Sequence, residues 1–210
     1  MTNHNFFISD EIRKENNDFN QIWISKNKFL DYSVIKVNDL DVSPKQKIDS
    51  VQFEVVWFKN IDRLMELLPS EFEYEKYCLV DVGCGSGIST FYFASKYRFK
   101  NFYGFDFSSS LIESALKNKS KFFGNNQNKL DMKFEVNNAR EFKLIESSIL
   151  FMFNPFGIET MEKMILNNLN HMKRTRSIIL YANDLYLDLL LKYGNLIKRN
   201  DLFNLSCIQF

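Results

Sequence analysis

Short apolar runs and longer amphipathic stretches alternate along most of the chain. The apolar runs are bounded by polar residues or glycines and predict strands at residues 77–83, 101–106, 131–137, 148–154 and 176–183. The amphipathic stretches predict helices at residues 86–97, 109–123, 158–172 and 184–194. Strands and helices that alternate at such short spacing are typical of a parallel sheet covered by helices on both faces.

The C-terminal end departs from this alternation. The last helix is expected to be capped by Asp184 and to end at Gly194. Two short strands are predicted after it, near Asn195–Arg199 and Leu205–Phe210, and without a helix between them they should pair as an antiparallel hairpin. The predicted fold is an α/β fold with a doubly wound, mostly parallel sheet and an antiparallel strand near the C-terminus.

The first 70 residues are a separate part of the prediction. A short helix or an irregular segment is expected near Ile22–Leu30, and apolar residues between Lys47 and Leu68 fit one face of a further helix, which Pro69 ends. The 210 residues are enough for one α/β domain with a full core and few for two. We expect residues 1–70 to form an N-terminal extension that covers the substrate as a lid, and residues 71–210 to form the folded domain.

Composition and charge disfavour several classes of protein. Hydrophobic residues make up 45% of the chain and aromatic residues 16%, which suits a globular fold. The formal net charge of +1 gives no overall attraction to nucleic acid or to an anionic membrane. A signal peptide is not expected at the charged N-terminus, and no apolar run reaches the roughly 18 to 20 residues of a membrane span.

The few cysteines and histidines also limit the chemistry. Cys78, Cys84 and Cys207 lack zinc-like spacing, and we expect reduced thiols in a cytoplasmic protein. The two histidines, His4 and His171, are far apart in the sequence. Neither a histidine-based metal site nor a Ser-His-Asp triad is therefore expected.

A glycine-rich loop, DVGCGSG, lies between the first strong strand and its helix. The glycines at positions 83, 85 and 87 allow a tight turn and a close approach of the backbone to a ligand. Asp106 ends the next strand, where an acid binds ribose hydroxyls in folds of this kind. The dinucleotide fingerprint would place its third glycine at Ile88, whereas Asp81 at the start of the loop suits a ligand with a cationic amine.

Each of these residues also has a purely structural interpretation. Asp81 and Asp106 could be ordinary capping or loop acids, but their joint placement favours a ligand. Cys84 is interpreted as a small apolar filler of the loop and not as a nucleophile.

Four segments resemble motifs of the class I S-adenosylmethionine-dependent methyltransferases. They are LVDVGCGSG, FYGFDFS, FEVNNAREF and SILFMFNPFG, in the order of that family's first four motifs. The resemblance covers about residues 77–183 and implies a seven-stranded sheet. It also implies that the cofactor, S-adenosylmethionine, lies across the carboxyl ends of the first, second and fourth strands.

The same resemblance assigns a set of cofactor-binding residues. Asp81 and the loop backbone should meet the methionine part, Asp106 both ribose hydroxyls, and Phe107 the adenine. Many family members have Asp-Ala where this chain has Asn138-Ala139. The uncharged side-chain oxygen of Asn138 would therefore accept the hydrogen bond from the adenine amino group. The full set is Asp81, Gly83, Cys84, Gly85, Gly87, Asp106, Phe107, Asn138, Ala139 and Asn154.

The fourth strand ends in Asn154-Pro155-Phe156-Gly157, which the resemblance places beside the methyl group. The Asn154 side-chain oxygen and the Pro155 carbonyl can accept N–H bonds and so turn the lone pair of a neutral amine toward the methyl carbon. Phe156 can cover a flat or apolar group, and these three are the candidate catalytic residues. The alternative is a Pro-Gly turn in which Asn154 caps the helix that starts near Ile158.

This tetrad resembles the Asn-Pro-Pro-Tyr tetrad of amino-methyltransferases that act on adenine, cytosine or glutamine amides. It differs at the third and fourth positions and lacks the aromatic stacking partner that base flipping needs. A closer resemblance is to a group of bacterial class I methyltransferases with Asn-Pro-Phe-Gly at this place. We expect methyl transfer to an amine or amide nitrogen of a small molecule or a protein side chain, with S-adenosylhomocysteine as the product.

Two other functions stay open at this point. A non-catalytic subunit that binds S-adenosylmethionine and partners another protein is suggested only by the uncharged Asn138. A nucleic-acid amino-methyltransferase is disfavoured by the near-neutral charge and by the absence of a separate recognition domain.

Overall fold

The computed structural model describes residues 8–30, 34–36, 49, 52–124 and 130–210. The strands in these ranges are β1 Cys78–Val82, β2 Asn101–Asp106, β3 Met132–Val136, β4 Ser148–Phe153, β5 Ile178–Ala182, β6 Asn195–Asn200 and β7 Leu205–Gln209. The α-helices are α1 Asp10–Asn27, α2 Phe58–Met65, α3 Ile88–Lys96, α4 Ser109–Phe123, α5 Ile158–Thr175 and α6 Leu187–Leu190.

The seven strands form one sheet in the order β3-β2-β1-β4-β5-β7-β6. Strands β1 to β5 are parallel, and β7 is antiparallel to both of its neighbours. The predicted doubly wound sheet with an antiparallel strand near the C-terminus is thus confirmed. The chain reverses its direction of travel across the sheet between β1 and β4, and open sheets of this kind bind ligands at the carboxyl ends of the strands beside such a point.

Two apolar layers, one on each face of the sheet, hold the central strands in place. Leu79 and Ile149 lie in the layer that α2, α3 and α4 share, and Val80 and Leu150 lie in the layer of α5. Because both faces of β1 and β4 are buried, their sequences are continuous apolar runs instead of alternating ones. The packed layers fix the strand ends from which the candidate site is built.

The N-terminal helix is longer and starts earlier than the sequence pattern indicates. The α1 helix begins after its cap, Ser9, and ends before Lys28, which has a left-handed φ of 56°. Its buried positions include Asn16 and Asn20. Because polar residues occupy part of the buried face, no clear apolar periodicity marks this helix, and the predicted bounds of Ile22–Leu30 were wrong.

The helix predicted between Lys47 and Leu68 begins only at Phe58. Residues 52–57 are not helical, and the backbones of Phe53 and Ile35 exchange two hydrogen bonds of 2.9 and 3.0 Å. Pairing with a distant segment thus outweighs the helical spacing of the apolar residues. The prediction was wrong for residues 52–57, and most of its earlier part lies outside the described residues.

The Asn20 side chain connects α1 to the start of α2. Its oxygen accepts a hydrogen bond from the Phe58 amide at 2.9 Å, and its nitrogen donates to the Val56 carbonyl at 2.8 Å. These bonds give the first amide of α2 a partner and hold the end of the segment 52–57.

The helix predicted over residues 184–194 is reduced to the short α6, followed by turns that end at Gly194. The Asp184 carboxylate does not cap it. It pairs instead with the Arg199 guanidinium of β6, at 2.7 and 3.0 Å. This ion pair, in which the Asp184 carboxylate is buried and Arg199 is partly exposed, joins the end of β5 to the closing hairpin.

Candidate active site

Three glycines with positive φ form the loop between β1 and α3. Gly83, Gly85 and Gly87 have φ values of 70°, 53° and 77°, in the region that residues with a side chain rarely adopt. The amides of Gly83 and Cys84 both donate to a β2 carbonyl at 2.9 Å. A Cβ atom at Gly83 would lie 2.5 Å from the Cβ of Pro155. The structure therefore brings the first and fourth predicted motifs into contact.

Asp81 lies at the carboxyl end of β1 and is buried. Its carboxylate accepts a hydrogen bond from the Thr90 hydroxyl of α3 at 2.5 Å. Burial raises the pKa of Asp81 to about 7, the Thr90 bond opposes the rise, and the nearby Asp106 adds to it. A cation that binds beside this carboxyl group favours its ionised form and so lowers its pKa.

Asp106, the last residue of β2, faces the same glycine loop. One oxygen accepts the Gly85 amide at 3.0 Å, and the other accepts the Ser108 amide at 2.9 Å. Burial raises the pKa of Asp106, and these amide bonds act in the opposite direction. Phe107 follows it and lines a small cavity together with Asp106 and Asn154.

The turn after β3 carries Asn138 and Ala139, and it lies next to Asp106. The Asn137 amide donates to the Asp106 carbonyl at 2.9 Å, which fixes the turn to the end of β2. The Asn138 side-chain oxygen accepts the Arg140 amide at 3.0 Å, and Ala139 is buried. The structure thus places all three acidic or amide positions of the first three motifs at one edge of the sheet.

Asn154 follows β4 in a left-handed conformation, with a φ of 41°. Its side chain is buried, and its oxygen accepts a hydrogen bond from the Tyr181 hydroxyl of β5 at 2.9 Å. Asparagine tolerates this backbone region better than most residues. The geometry therefore holds the amide group in one orientation at the carboxyl edge of the sheet.

Phe156, which we predict to cover a flat or apolar group of the acceptor, is buried in the core. It is 7% exposed and belongs to the apolar layer of α5. Its ring therefore supports the loop after β4 from inside the core, while Asn154 and Pro155 line the cavity side. The burial follows from the apolar neighbours that α5 offers immediately after the loop.

The helix after this loop is capped by a residue from the N-terminal segment. Gly157 precedes α5 without a side-chain cap of its own. The Asp49 carboxylate accepts the Thr160 amide at 3.0 Å and the Thr160 hydroxyl, and it pairs with Arg140 at 3.3 Å. The Gly157 amide donates to the Asp49 carbonyl at 3.0 Å. The alternative in which Asn154 caps this helix is therefore wrong.

Three residues of the site were missed from the sequence: Asp49, Phe53 and Tyr181. Asp49 and Phe53 act on residues far along the chain, and no local pattern marks them. Tyr181 lies in an apolar strand run in which it reads as one more core residue.

Two small cavities lie along this edge of the sheet. One, of about 30 Å³, reaches Asp81 and Cys84, and the other, of about 40 Å³, reaches Asp106 and Asn154. Phe53 lines both of them. A larger cavity, of about 450 Å³, is lined by the opposite ends of β1 and β2, by β3 and by residues 141–146, and it touches none of the predicted site residues.

The described residues give little support to a metal site or to a cysteine nucleophile. None of their histidine, cysteine and acidic side chains form a group of three that could hold a metal ion. Cys78, Cys84 and Cys207 are buried and free, and burial raises the pKa of the Cys84 thiol well above its ordinary value. Within the described ranges, no helix has the length and apolarity to cross a membrane.

Residues 79–175 match the family model described as a methyltransferase domain. Among solved structures, the chain is similar to the ribosomal protein L11 methylase of Lactobacillus delbrueckii subsp. bulgaricus, with 14% identity, coverage of 72% of this chain and 77% of that chain, and a TM-score of 0.50. It is also similar to a SAM-dependent methyltransferase of Leishmania major, with 10% identity, coverage of 72% and 70%, and a TM-score of 0.53.

A third similar structure is that of CalS10 from Micromonospora echinaspora, an amino pentose methyltransferase with bound SAM, at 17% identity, coverage of 59% of this chain and 48% of that chain, and a TM-score of 0.41. At these identities the likeness concerns the fold. The comparison with curated proteins gives no match. The domain match and the seven-stranded sheet together support a methyltransferase enzyme.

Proposed function

We propose that this chain methylates an amine or amide nitrogen of a small molecule or a protein side chain, with S-adenosylmethionine as the donor. The observation that carries the proposal is the setting of Asn154. Its side-chain oxygen is buried, held by Tyr181 and placed at the same sheet edge as Asp81 and Asp106. An acceptor of N–H bonds thus stands beside the residues suited to the cofactor.

The residues at this edge suit the cofactor in their chemistry. Asp81 would pair with the amino group of the methionine part, and the backbone of Gly83, Cys84, Gly85 and Gly87 would lie close to the cofactor. None of the three glycines has room for a Cβ atom, which would overlap Pro155 at Gly83, the Phe53 ring at Gly85 and the Phe134 ring at Gly87. Asp106 would bind the ribose, with Phe107, Asn138 and Ala139 around the adenine.

When bound, S-adenosylmethionine supplies a methyl group activated by a sulfonium centre. Asn154 and the Pro155 carbonyl would accept N–H bonds from the acceptor and direct its lone pair at the methyl carbon. The cofactor would leave as S-adenosylhomocysteine with the bonding electrons on sulfur, and the methylated nitrogen would release a proton to water. A neutral amine needs no base to attack, which suits a site whose polar groups at this place are an amide and a carbonyl.

The N-terminal segment would cover the acceptor side as a lid. Asp49 contacts the helix that follows the Asn154 loop, and residues 52–57 pass the glycine loop. The formal net charge of +1 keeps nucleic acid the less favoured acceptor.

Two measurements test the proposal. Calorimetry should show binding of S-adenosylhomocysteine to the full chain, and a radiolabelled donor should transfer methyl groups to one fraction of a lysate separated into protein, nucleic acid and metabolites. Absence of binding would overturn the proposal. Binding without transfer to any fraction would favour the non-catalytic subunit instead.

The variant Asn154→Ala separates a catalytic role from a structural one. We expect nearly unchanged affinity for S-adenosylhomocysteine and a turnover lower by about ten- to a thousandfold, the scale of a lost positioning contact. Asn204→Ala is a matched control, since Asn204 also has a positive φ but lies in the turn between β6 and β7. Equal loss of binding and turnover in Asn154→Ala would mean that Asn154 is structural.

A further inference from the structure

The aromatic ring of Phe53 lies directly against the glycine loop. A Cβ atom built on Gly85 would lie 2.5 Å from the Phe53 Cδ2 atom and nearer still to its Cε2 atom. Gly85 is also the residue whose amide binds Asp106. The open face that a glycine gives to a ligand is here filled by a side chain of the same polypeptide.

The ring separates the two halves of the proposed cofactor site. The cavity on the Asp81 side and the cavity on the Asp106 side have volumes of only about 30 and 40 Å³, and Phe53, Glu54, Gly83 and Phe153 line both. Pockets that hold ligands of cofactor size have volumes of about 300 to 1,000 Å³. A ligand that reaches from Asp81 to Asp106 must therefore take the place of the ring.

The segment that carries the ring, residues 52–57 and here named the strap, is held at several points. Phe53 itself pairs with Ile35 through two backbone hydrogen bonds, and the end of the strap is bound by Asn20 at Val56. Ahead of it, Asp49 is fixed to the start of α5. Contacts on both sides thus place Phe53 on the loop.

We propose that the strap is an autoinhibitory element: Phe53 occupies the cofactor's place, and S-adenosylmethionine binds by displacing it. This inference rests on the proposed function, since it takes the Asp81–Asp106 edge as the cofactor site. The cofactor then binds only the fraction of molecules whose strap has withdrawn, and its apparent affinity is lower by that fraction. Because Asp49 contacts Thr160 and Gly157, the strap's hold on the cofactor site depends on the loop that receives the acceptor.

Whether Phe53→Ala raises or lowers the affinity for S-adenosylhomocysteine tests the proposed displacement of the ring. In the full chain, Phe53→Ala should bind S-adenosylhomocysteine about tenfold more tightly than the wild type, with faster association in stopped flow, because no ring has to leave. A ring that packs onto bound cofactor as part of a wall would give the opposite result, weaker binding, and this would overturn the proposal. Unchanged affinity would overturn it as well.

A second variant guards against a folding defect in the first. Asp49→Ala keeps the ring and loosens its attachment to α5, so we expect tighter binding of S-adenosylhomocysteine by a smaller factor. Phe203→Ala is the control, because Phe203 is a partly buried ring that packs under Arg63 in the turn after β6. Its affinity should equal that of the wild type, and a matching increase in the control would overturn the inference.

The outcomes also distinguish failure of this inference from failure of the proposed function on which it rests. If the wild type, Phe53→Ala and Asp49→Ala all fail to bind S-adenosylhomocysteine, the assignment of the cofactor site fails and the inference fails with it. If the wild type binds and Phe53→Ala binds equally or less well, the cofactor site stands and the inference alone is wrong.

Discussion

The hydroxyl group of Tyr181 donates a hydrogen bond to the side-chain oxygen of Asn154 across 2.9 Å. Tyr181 is fully buried in β5, and its strand neighbour in β4 is Met152, two residues before Asn154. Burial raises the pKa of this hydroxyl, so it stays protonated and donates. The bond fixes which end of the amide carries the oxygen and leaves that oxygen one lone pair for a second donor.

Tyr181→Phe removes only this hydroxyl and should slow methyl transfer. A buried acceptor that loses its partner costs about 1–3 kcal/mol, and 1.4 kcal/mol corresponds to tenfold in rate. We expect turnover to fall about tenfold at unchanged affinity for S-adenosylhomocysteine, measured on the lysate fraction that the wild type modifies. The double variant with Asn154→Ala should be no slower than Asn154→Ala alone. Fully additive losses would show that Tyr181 does not act through Asn154.

Cofactor affinity should depend on pH through Asp81. Its pKa is about 7 without a bound cation, and only the carboxylate can pair with the amino group of the methionine part. The affinity for S-adenosylhomocysteine should therefore fall as the pH is lowered from 8 to 6, by up to about tenfold for one proton per pH unit. Calorimetry at several pH values measures it. Asp81→Asn should bind weakly at every pH, and a pH dependence that persists in this variant would point to another group.

At neutral pH the Asp81 carboxyl group should lower the free energy of unfolding of the protein without bound cofactor. Its pKa in the folded chain lies above the ordinary value of 3.8, so the unfolded chain releases this proton first as the pH rises. Stability from this group is then lost between about pH 4 and pH 7 and is constant above. Asp81→Asn should melt at a higher temperature than the wild type at pH 8, by roughly 2–4 °C for each kcal/mol relieved. The difference should shrink toward pH 5, and a constant difference would contradict the assignment.

Gly157 should be intolerant of alanine because of Asp49 and not because of its own backbone. Its φ is −75°, which any residue adopts, but a Cβ atom there would overlap the Asp49 carboxylate. We expect Gly157→Ala to lower the free energy of unfolding by about 1–3 kcal/mol, the range for overpacking. Adding Asp49→Ala should restore part of the loss, measured by urea unfolding. Additive losses in the double variant would show that the two residues do not compete for the same space.

The sheet and its motifs could be predicted from the sequence because their signals are local. Apolar runs buried on both faces mark β1 and β4, and the spacing of the glycines and acids follows from the turn that each one makes. The order of the strands then places Asp81, Asp106 and Asn154 at one edge without further information.

The residues that close the site could not be predicted in this way. Asp49 binds Thr160, a residue 111 positions away, and Asn20 holds Val56, 36 positions away. Residues 52–57 carry apolar side chains at a spacing that suits a helix, yet their backbone pairs with a distant segment. Phe156 is predicted as a site residue because it follows Pro155, and in the structure its ring is buried in the apolar layer of α5. Each of these outcomes depends on contacts that form only once the sheet exists.

Gly83 links the first and fourth motifs, and its replacement should disable the site. Its φ of 70° and its contact with Pro155 each oppose a side chain. Alanine there costs about 1–2 kcal/mol for the backbone alone, and the Cβ atom also pushes the loop away from the residues after β4. We expect Gly83→Ala to lower the melting temperature and to lose binding of S-adenosylhomocysteine by calorimetry. Gly124→Ala is the matched control, since Gly124 has a φ of 51° and no atom within 4 Å of such a Cβ. It should lose stability and keep the wild-type affinity, whereas loss of affinity in both variants would mean that lower stability and not the contact with Pro155 is the cause.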